Sequence, residues 1–456
     1  MPDYLPHTDE DIARMLEFLG LRSLEELFDA VPAAVRLTRE LALDEGRPEP
    51  DVLARARARA GANRAAELVC FAGAGAYDHE VPPVVRALAS RSEFVTAYTP
   101  YQAEVAQGGL QAIFEFQTMV SRLFGLPIAN ASLYDGATAL VEAVNLAVGA
   151  AGHQRVLVSC GVHPHWRAVL GTFAAGTGHE LVEVPLVAGR TDWDAVAEPS
   201  GAGAVVAAYP NYLGCLEDLG AARSAADHHG GLLAVAADPV ALGVLKSPGE
   251  WGADVAVGEG QPFGSPLAFG GPYLGLFACA AAHVRRLPGR LVGETRDADG
   301  TVAYVTTLRA REQDIRREKA TSNVCTNQTL IALTAAIQLG WLGTAGLAEL
   351  ATRCARAADY CRRGLLGLEG VEPLTAHTPT LREFAVALPV PAALLQARLA
   401  EEGFLAGVAL DQLVGEDGDG SMGAAAARRG LLVAVTERRT REEIDRFVAA
   451  FDKALR

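Results

Sequence analysis

Between Leu68 and Phe277 the chain alternates short, uninterrupted apolar runs with longer segments of helical period, and that alternation limits the fold more than any single motif. ELVCF, RVLVSC, AVVAAYP, GLLAVAAD, ADVAVGE and YLGLFAC are apolar at nearly every position, the pattern of strands covered on both faces. Between them GLQAIFEFQTMVSRLFG, ATALVEAVNLAVGAA and HWRAVLGTFAAG place apolar residues at helical spacing. Parallel neighbours cannot be joined by a tight hairpin; they need a crossover, which such helices supply. The expectation is an α/β fold whose large, mainly parallel sheet is buried under helices.

Three regions follow from the same reading. Residues 1–66 form an N-terminal helical segment: Thr8-Asp9-Glu10-Asp11 is a capping start, and IARMLEFLGL and LEELFDAV carry the period. Asp51 to Ala66 reads as a further helix. Residues 67–325 are the large α/β domain, with Asp299-Gly300 as a hairpin turn near its end. Residues 326–456 are a smaller α/β domain. Its strands are TLREFAVAL and GLLVAVTE, VGEDGDGSMGAAAARRG is a flexible loop, and the capping box Thr440–Glu443 opens a last helix.

Charge and cysteine usage exclude several function classes. A formal net charge of −15 argues against a nucleic-acid binder, which needs a basic footprint over the phosphates. The seven cysteines are scattered, none in a CxxC pair, as expected of reduced thiols in the cytoplasm. MPDYLPHTDEDIARML has no apolar leader core, and the run GGLLAVAADPVALGVL is interrupted by Asp238 and Pro239, so no membrane span is expected.

Several motifs reduce to ordinary structure. GAGAYD lacks the third glycine of a dinucleotide fingerprint, with Asp78 in its place and Pro82-Pro83 soon after. The run Asp417-Gly418-Asp419-Gly420 has Met422 where a calcium loop needs glycine. His163-Pro164-His165 and His228-His229 lack zinc-site spacing. A scattered set carries more. Gly136, Ala137 and Thr138 open a helix whose N–H groups suit a phosphate, His163 follows a strand and suits stacking on a flat ring, and Asp238 ends a strand and suits a pyridinium nitrogen. A strand-end loop, GEGQPFGSPLAFGGP, comes next. That order is the order of a pyridoxal-phosphate (PLP) site in the aspartate-aminotransferase-like, fold type I class. The loop has no lysine; Gln261 and Pro262 stand where one would bond the cofactor. Lys246 falls on a connection returning to the far end of the sheet, and Lys319 and Lys453 lie in charged helical stretches.

Longer stretches carry a resemblance. YTPYQAEVAQGGLQAIFEFQT, FAGAGAYDHEVPPVV, NASLYDGATALVEAV, GEGQPFGSPLAFGGPYLG, LPGRLVGET and REQDIRREKATSNVCTNQTLIAL are similar to the P-protein family of the glycine cleavage system. The match runs on to TERRTREEIDRF, nearly the whole chain. Length and the missing lysine fit subunit 1 of the two-subunit bacterial form rather than the longer fused form. The resemblance implies glycine dehydrogenase (decarboxylating, aminomethyl-transferring): glycine loses CO2 with PLP as electron sink, and the aminomethyl group passes to the lipoyl arm of H-protein. It further implies that PLP is bound covalently by a lysine of P-protein subunit 2, in a heterotetramer with two copies of each subunit, and that this chain is inactive alone. Carried over with it is a shared site in which Thr321, Ser322 and Asn323, opening a helix, reach the partner's cofactor phosphate. Tyr98, Thr99, Tyr101 and Gln102 line its glycine end, and Arg316 and Arg317 would steer an acidic lipoyl-carrying partner or the phosphate. Gly136, Ala137, Thr138, His163, Asp238 and Gln261 become a vestigial pocket. Plainer roles stand beside these: a helix cap, tyrosines packed at a subunit interface, a solvated charged face. Two other functions stay open, a purely structural subunit and a stand-alone PLP enzyme using Lys246.

Overall fold

A computed structural model describes residues 6–197, 201–308, 320, 322–375 and 378–456, in two units, Met1–Arg64 and Ala65–Arg456. In the first, helix α1 (Asp9–Leu19) starts at the Thr8 capping box, its hydroxyl and the Asp11 carboxylate each accepting the other residue's backbone N–H. Helix α2 spans Glu49–Gly61. No described residue of this unit is buried, and Phe18 on α1 is 90% exposed.

In the second unit the apolar runs form a seven-stranded sheet. Its strands are β1 (Ile128–Ala129), β2 (Arg155–Ser159), β3 (Glu180–Val184), β4 (Ala204–Tyr209), β5 (Leu232–Ala237), β6 (Val255–Glu259) and β7 (Gly275–Cys279). Their spatial order is β1-β7-β6-β5-β4-β2-β3, with β7 antiparallel to both neighbours and β3, β2, β4, β5 and β6 mutually parallel. Alternate residues serve opposite faces. Val205, Ala207, Leu233 and Val235 pack with Phe116, Val120 and Phe124 of α3 (Gln107–Phe124), while Val206, Ala234 and Val257 pack with Leu140, Val144 and Ala147 of α4 (Gly136–Ala151). Helices α5 (Pro164–Thr177) and α6 (Leu219–His229) complete the crossovers.

A hairpin of β8 (Leu291–Arg296) and β9 (Val302–Thr307) turns at Gly300 (φ 79°), as Asp299-Gly300 predicts. Helix α7 (Thr329–Leu366) then runs through a break at Gly343, whose φ of 60° glycine adopts without penalty. One 18-residue window of α7, a run the sequence reading passed over, is by length and composition apolar enough to cross a membrane. Part of this apolar surface is packed: Ala332, Ala335 and Leu350 lie on the large sheet's core, and Ala358, Cys361 and Leu365 on that of a second, smaller sheet.

The smaller sheet is antiparallel. It comprises β10 (Glu372–Pro373), β11 (Glu383–Ala387), β12 (Val408–Ala409) and β13 (Gly430–Ala434), in the order β10-β11-β13-β12. Its core centres on Phe71, Phe384, Phe447 and Phe451, with Phe71 and Phe447 stacked at 3.9 Å. The last helix, α8 (Arg441–Leu455), begins at the predicted Thr440 capping box. The stretch expected to be a flexible loop is instead built: Gly418–Asp419 pairs with Met422–Gly423, and Ala424–Arg429 is helical. Arg167 on α5 is ion-paired with both Asp419 and Glu183, and Tyr212 Oη lies 2.5 Å from Ser421 Oγ. These contacts tie the stretch to the large sheet's helices. All seven cysteines are free thiols.

Candidate functional site

Parallel strands present their C-terminal ends to one edge of a sheet, where ligands collect in α/β folds. Here β4, β5 and β6 end beside Pro210, Asp238 and Glu259, around a cleft of about 90 Å3. His163, Trp166, Tyr212, Asp238, Glu259 and Arg382 are among its walls. Two of these, Trp166 and Tyr212, come from the start of α5 and the turn after β4; Arg382 comes from the edge of β11 in the smaller sheet.

Of the groups sequence reading assembled, His163 and Asp238 line this cleft and Gly136 and Gln261 bond residues that line it; these four and Thr138 find partners within the protein. The Asp238 carboxylate is paired with the Arg382 guanidinium at 2.9 Å and also accepts the Val240 N–H. Arg382 lies 3.5 Å from the centroid of the Tyr77 ring, and its Nη1 donates to His79 Nε2 at 2.5 Å. At the opposite end, the Gly136 N–H that opens α4 donates to the Glu259 carboxylate at 2.9 Å. The N–H groups of Gln261 and Leu274 donate to its other oxygen, each at 2.9 Å. Thr138 N–H is taken by Asp135, the cap of α4. The Trp166 ring covers Gly136 so closely that a Cβ there would lie 2.3 Å from it. Gln261 is wholly buried; its amide donates to the Tyr77 and Ser265 carbonyls and accepts the Tyr77 N–H. His163 caps α5 through Nδ1, which accepts the His165 N–H, so Nε2 carries the proton and donates to the Ala74 carbonyl at 3.0 Å.

Burial dominates the electrostatics. It pushes Glu259 up to about 7 against the pull of three backbone N–H groups. It likewise pushes Glu383 up to about 7, against the Ala74 N–H, the Tyr77 hydroxyl and the Arg382 charge. Burial also lowers His163 to about 4, keeping the ring neutral. Behind Arg382, His79 Nδ1 is 2.7 Å from Glu437, whose carboxylate in turn accepts from Cys354 Sγ at 3.5 Å. These three side chains have metal-ligand chemistry and lie within reach of one ion. An arginine only donates, however, so His79 Nε2 must accept and Nδ1 must carry the proton. Nδ1 is the atom a metal would need, so the cluster is a hydrogen-bonded relay.

Pyridoxal phosphate, the cofactor of this fold class, needs a lysine, a free helix N-terminus for its phosphate and an acid for its ring nitrogen. Among the described residues none of the three is on offer: the strand-end loop carries Gln261 and no lysine, Glu259 holds the helix start, and Arg382 holds Asp238. The residues of this chain do not fit the cofactor. Lys246 does not remedy this, since its Nζ sits 4.2 Å from the centroid of the Trp251 ring and is not among the groups lining the cleft. Lys453 pairs with Glu402 on the surface.

A second depression, of about 640 Å3, is open to solvent. Tyr98, Thr99 and Val105 form one side and Gln328, Thr329 and Leu330, at the start of α7, the other. Tyr98 is 89% exposed. Tyr101 adjoins through Arg290, which lies 5.8 Å from its ring centroid and donates to Asn327. Gln102 is exposed ahead of a single 3-10 turn, Ala103–Val105. The expectation that Thr321, Ser322 and Asn323 open a helix is corrected in part. Ser322 is buried with its hydroxyl accepting the Val324 N–H, Asn323 is exposed, and the helix begins only at Thr329. The reason is tertiary: Cys325 N–H and Thr326 N–H bond the Tyr134 hydroxyl, and Asn327 bonds Ala131 and Ser132, drawing the segment out as a strap. Thr321, with Arg316, Arg317 and Lys319, lies outside the described residues.

Sequence reading missed Glu259, Arg382, Glu383, Tyr77 and Trp166. Two carried a signal: Glu259 is an acid at the end of an apolar strand, and Arg382-Glu383 are adjacent charges opening the apolar run EFAVAL.

The fold and the strand-end cleft define the PLP-dependent transferase class, fold type I. A NifS-like protein aligns over 85% of this chain and 99% of its own with TM-score 0.63, at 14% identity, which speaks to the fold alone. Within that class the relationship is specific. The family model for the glycine cleavage system P-protein matches residues 2–378. A probable glycine dehydrogenase (decarboxylating) subunit 1 of Moorella thermoacetica is 49% identical over 449 residues, 98% of each chain. A crystal structure of glycine decarboxylase (P-protein) of the glycine cleavage system, in inhibitor-bound form, has TM-score 0.88 and 46% identity over 99% of this chain and 100% of its own. The chain belongs to the glycine cleavage system P-protein family.

Proposed function

We propose that this chain is subunit 1 of glycine decarboxylase and that it completes an active site whose PLP is held covalently by a lysine of subunit 2. The observation that carries this is the self-filled cleft: with Glu259 and Arg382 on the two anchor points, this chain's own strand-end site cannot be where glycine reacts. The open depression supplies what a shared site needs. Tyr98 and Val105 offer apolar area to be buried on assembly. Thr99, Gln328 and the uncapped start of α7 offer a hydroxyl, an amide and backbone N–H groups to an anion presented from across the interface. PLP on the partner would supply the electron sink for loss of CO2, and the aminomethyl group would pass to lipoylated H-protein. This chain's part is to bind, orient and exclude water. Because the buried Ser322 hydroxyl serves its own turn, Thr99 and Gln328 are the stronger contributors to the anion's seat. A heterotetramer with two copies of each subunit is the expected assembly.

The test is glycine-dependent exchange of labelled CO2 with lipoylated H-protein. The chain alone is inactive, and mixing with subunit 2 restores exchange. Tyr98→Ala and Thr99→Ala lower turnover about tenfold, ~1.4 kcal/mol of transition-state stabilisation, while still co-eluting with subunit 2. If both variants assemble and retain full turnover, the chain is a structural subunit only.

A further inference from the structure

Losing a lysine removes the covalent bond to a cofactor but leaves its non-covalent seat, and such a seat would still take a phosphorylated pyridine. In this chain the seat is occupied. The cofactor carries two charged ends: a phosphate, which goes to a helix N-terminus, and a ring nitrogen, which goes to a carboxylate once protonated. The chain supplies a group of matching sign at each place. The Glu259 carboxylate receives the Gly136 N–H at the start of α4 and is fixed there by two more N–H bonds. The Arg382 guanidinium pairs with Asp238 and lies over the Tyr77 ring, 3.5 Å from its centroid. Both groups are buried, and neither is a mobile surface side chain that a ligand could push aside.

We propose that Glu259 and Arg382 are built-in replacements for the anionic and cationic ends of the cofactor, and that they, more than the missing lysine, keep phosphorylated pyridines out of this subunit. Two consequences separate this from simple loss of a lysine. Gln261→Lys alone does not create a cofactor site, since an anion must still displace a carboxylate from the helix start. Removing the Glu259 carboxylate, by contrast, exposes an anion seat even with Gln261 in place.

The experiment uses the full chain and inorganic phosphate as probe, with thermal unfolding followed in phosphate and in chloride of equal ionic strength. The native chain shows no phosphate-specific shift. Glu259→Ser unfolds at lower temperature in chloride and regains part of the difference in phosphate, with an apparent affinity at least about tenfold above that of the native chain. Should Glu259→Ser not fold, Glu259→Ala also clears the helix start of its carboxylate and is expected to show the same gain. Separately, Gln261→Lys is treated with PLP and borohydride and its peptides are mapped; the introduced lysine stays unlabelled. Equal phosphate affinity in native and folded variant chains, or stoichiometric labelling of the introduced lysine with Glu259 and Arg382 intact, overturns the proposal. The proposal rests on the fold and not on the shared-site reading, so phosphate affinity and CO2 exchange fail independently.

Discussion

Arg382→Met tests the energetics of the filled cleft most directly. Methionine keeps an unbranched stem of similar reach and deletes only the guanidinium. It leaves Asp238 without its 2.9 Å partner in a place where the Arg382 side chain is 6% and the Asp238 side chain 17% exposed. Stripping one partner from a buried ion pair costs about 3–5 kcal/mol. Asp238 keeps the Val240 N–H and some contact with water, so the lower end applies, about 3 kcal/mol. Losing the desolvated contact with the Tyr77 ring, 3.5 Å away, adds about 1–2 kcal/mol, of which a sulfur–ring contact returns roughly half. The net expectation is a loss of about 3–4 kcal/mol. Urea unfolding, followed by two spectroscopic probes, measures it for Arg382→Met, Asp238→Asn and the double variant. The cycle should give a coupling of about 2 kcal/mol or more, because each single change strands a charge that the double change removes. A loss below about 1 kcal/mol for Arg382→Met, the range of a solvated pair, or a coupling near zero, would refute the reasoning.

Two further outcomes follow. Glu383, pushed up to about 7 by burial against a usual 4.5, keeps its proton in the folded chain at pH values where the unfolded chain has lost it. Its contribution to stability therefore falls as pH rises from about 4.5 to about 7, by at most ~1.4 kcal/mol per unit, and is flat above. Glu383→Gln should make the profile less steep between about pH 4.5 and 7; parallel profiles would contradict that assignment. Arg167→Ala removes the ion pairs with Glu183 and Asp419 and should expose residues 414–430 to protease at unchanged secondary structure, because the stretch is tied to α5 by Arg167 and to Tyr212 by Ser421. Unaltered cleavage kinetics would show that the anchoring lies elsewhere.

Local chemistry was legible wherever one short stretch decides its own conformation. The capping boxes at Thr8 and Thr440, the turn at Asp299-Gly300 and the buried strands all follow from residues a few positions apart. The start of α7 was not legible: the residues from Ser322 onward have caps to offer, yet bonds to Tyr134 and Ser132 hold them extended until Thr329. Nor was the built hairpin at Gly418–Gly423, which follows a glycine-rich pattern typical of mobile loops and owes its order to Arg167 and Tyr212.

By itself the sequence determined the class of fold, through alternating apolar runs and helical periods, and the absence of a lysine at the strand end after Glu259. It also placed Gly136, His163, Asp238 and Gln261 in cofactor order. What fills that site was decided only by tertiary structure. Glu259 and Gly136 are 123 positions apart, and Arg382 reaches Asp238 from a different sheet. Pairings at such separations depend on how two sheets and their helices dock, information that no local periodicity contains. A strand-end loop without a lysine is visible in a string of letters; the carboxylate bound at the start of α4 and the guanidinium paired with Asp238 become visible only once the chain has folded around them.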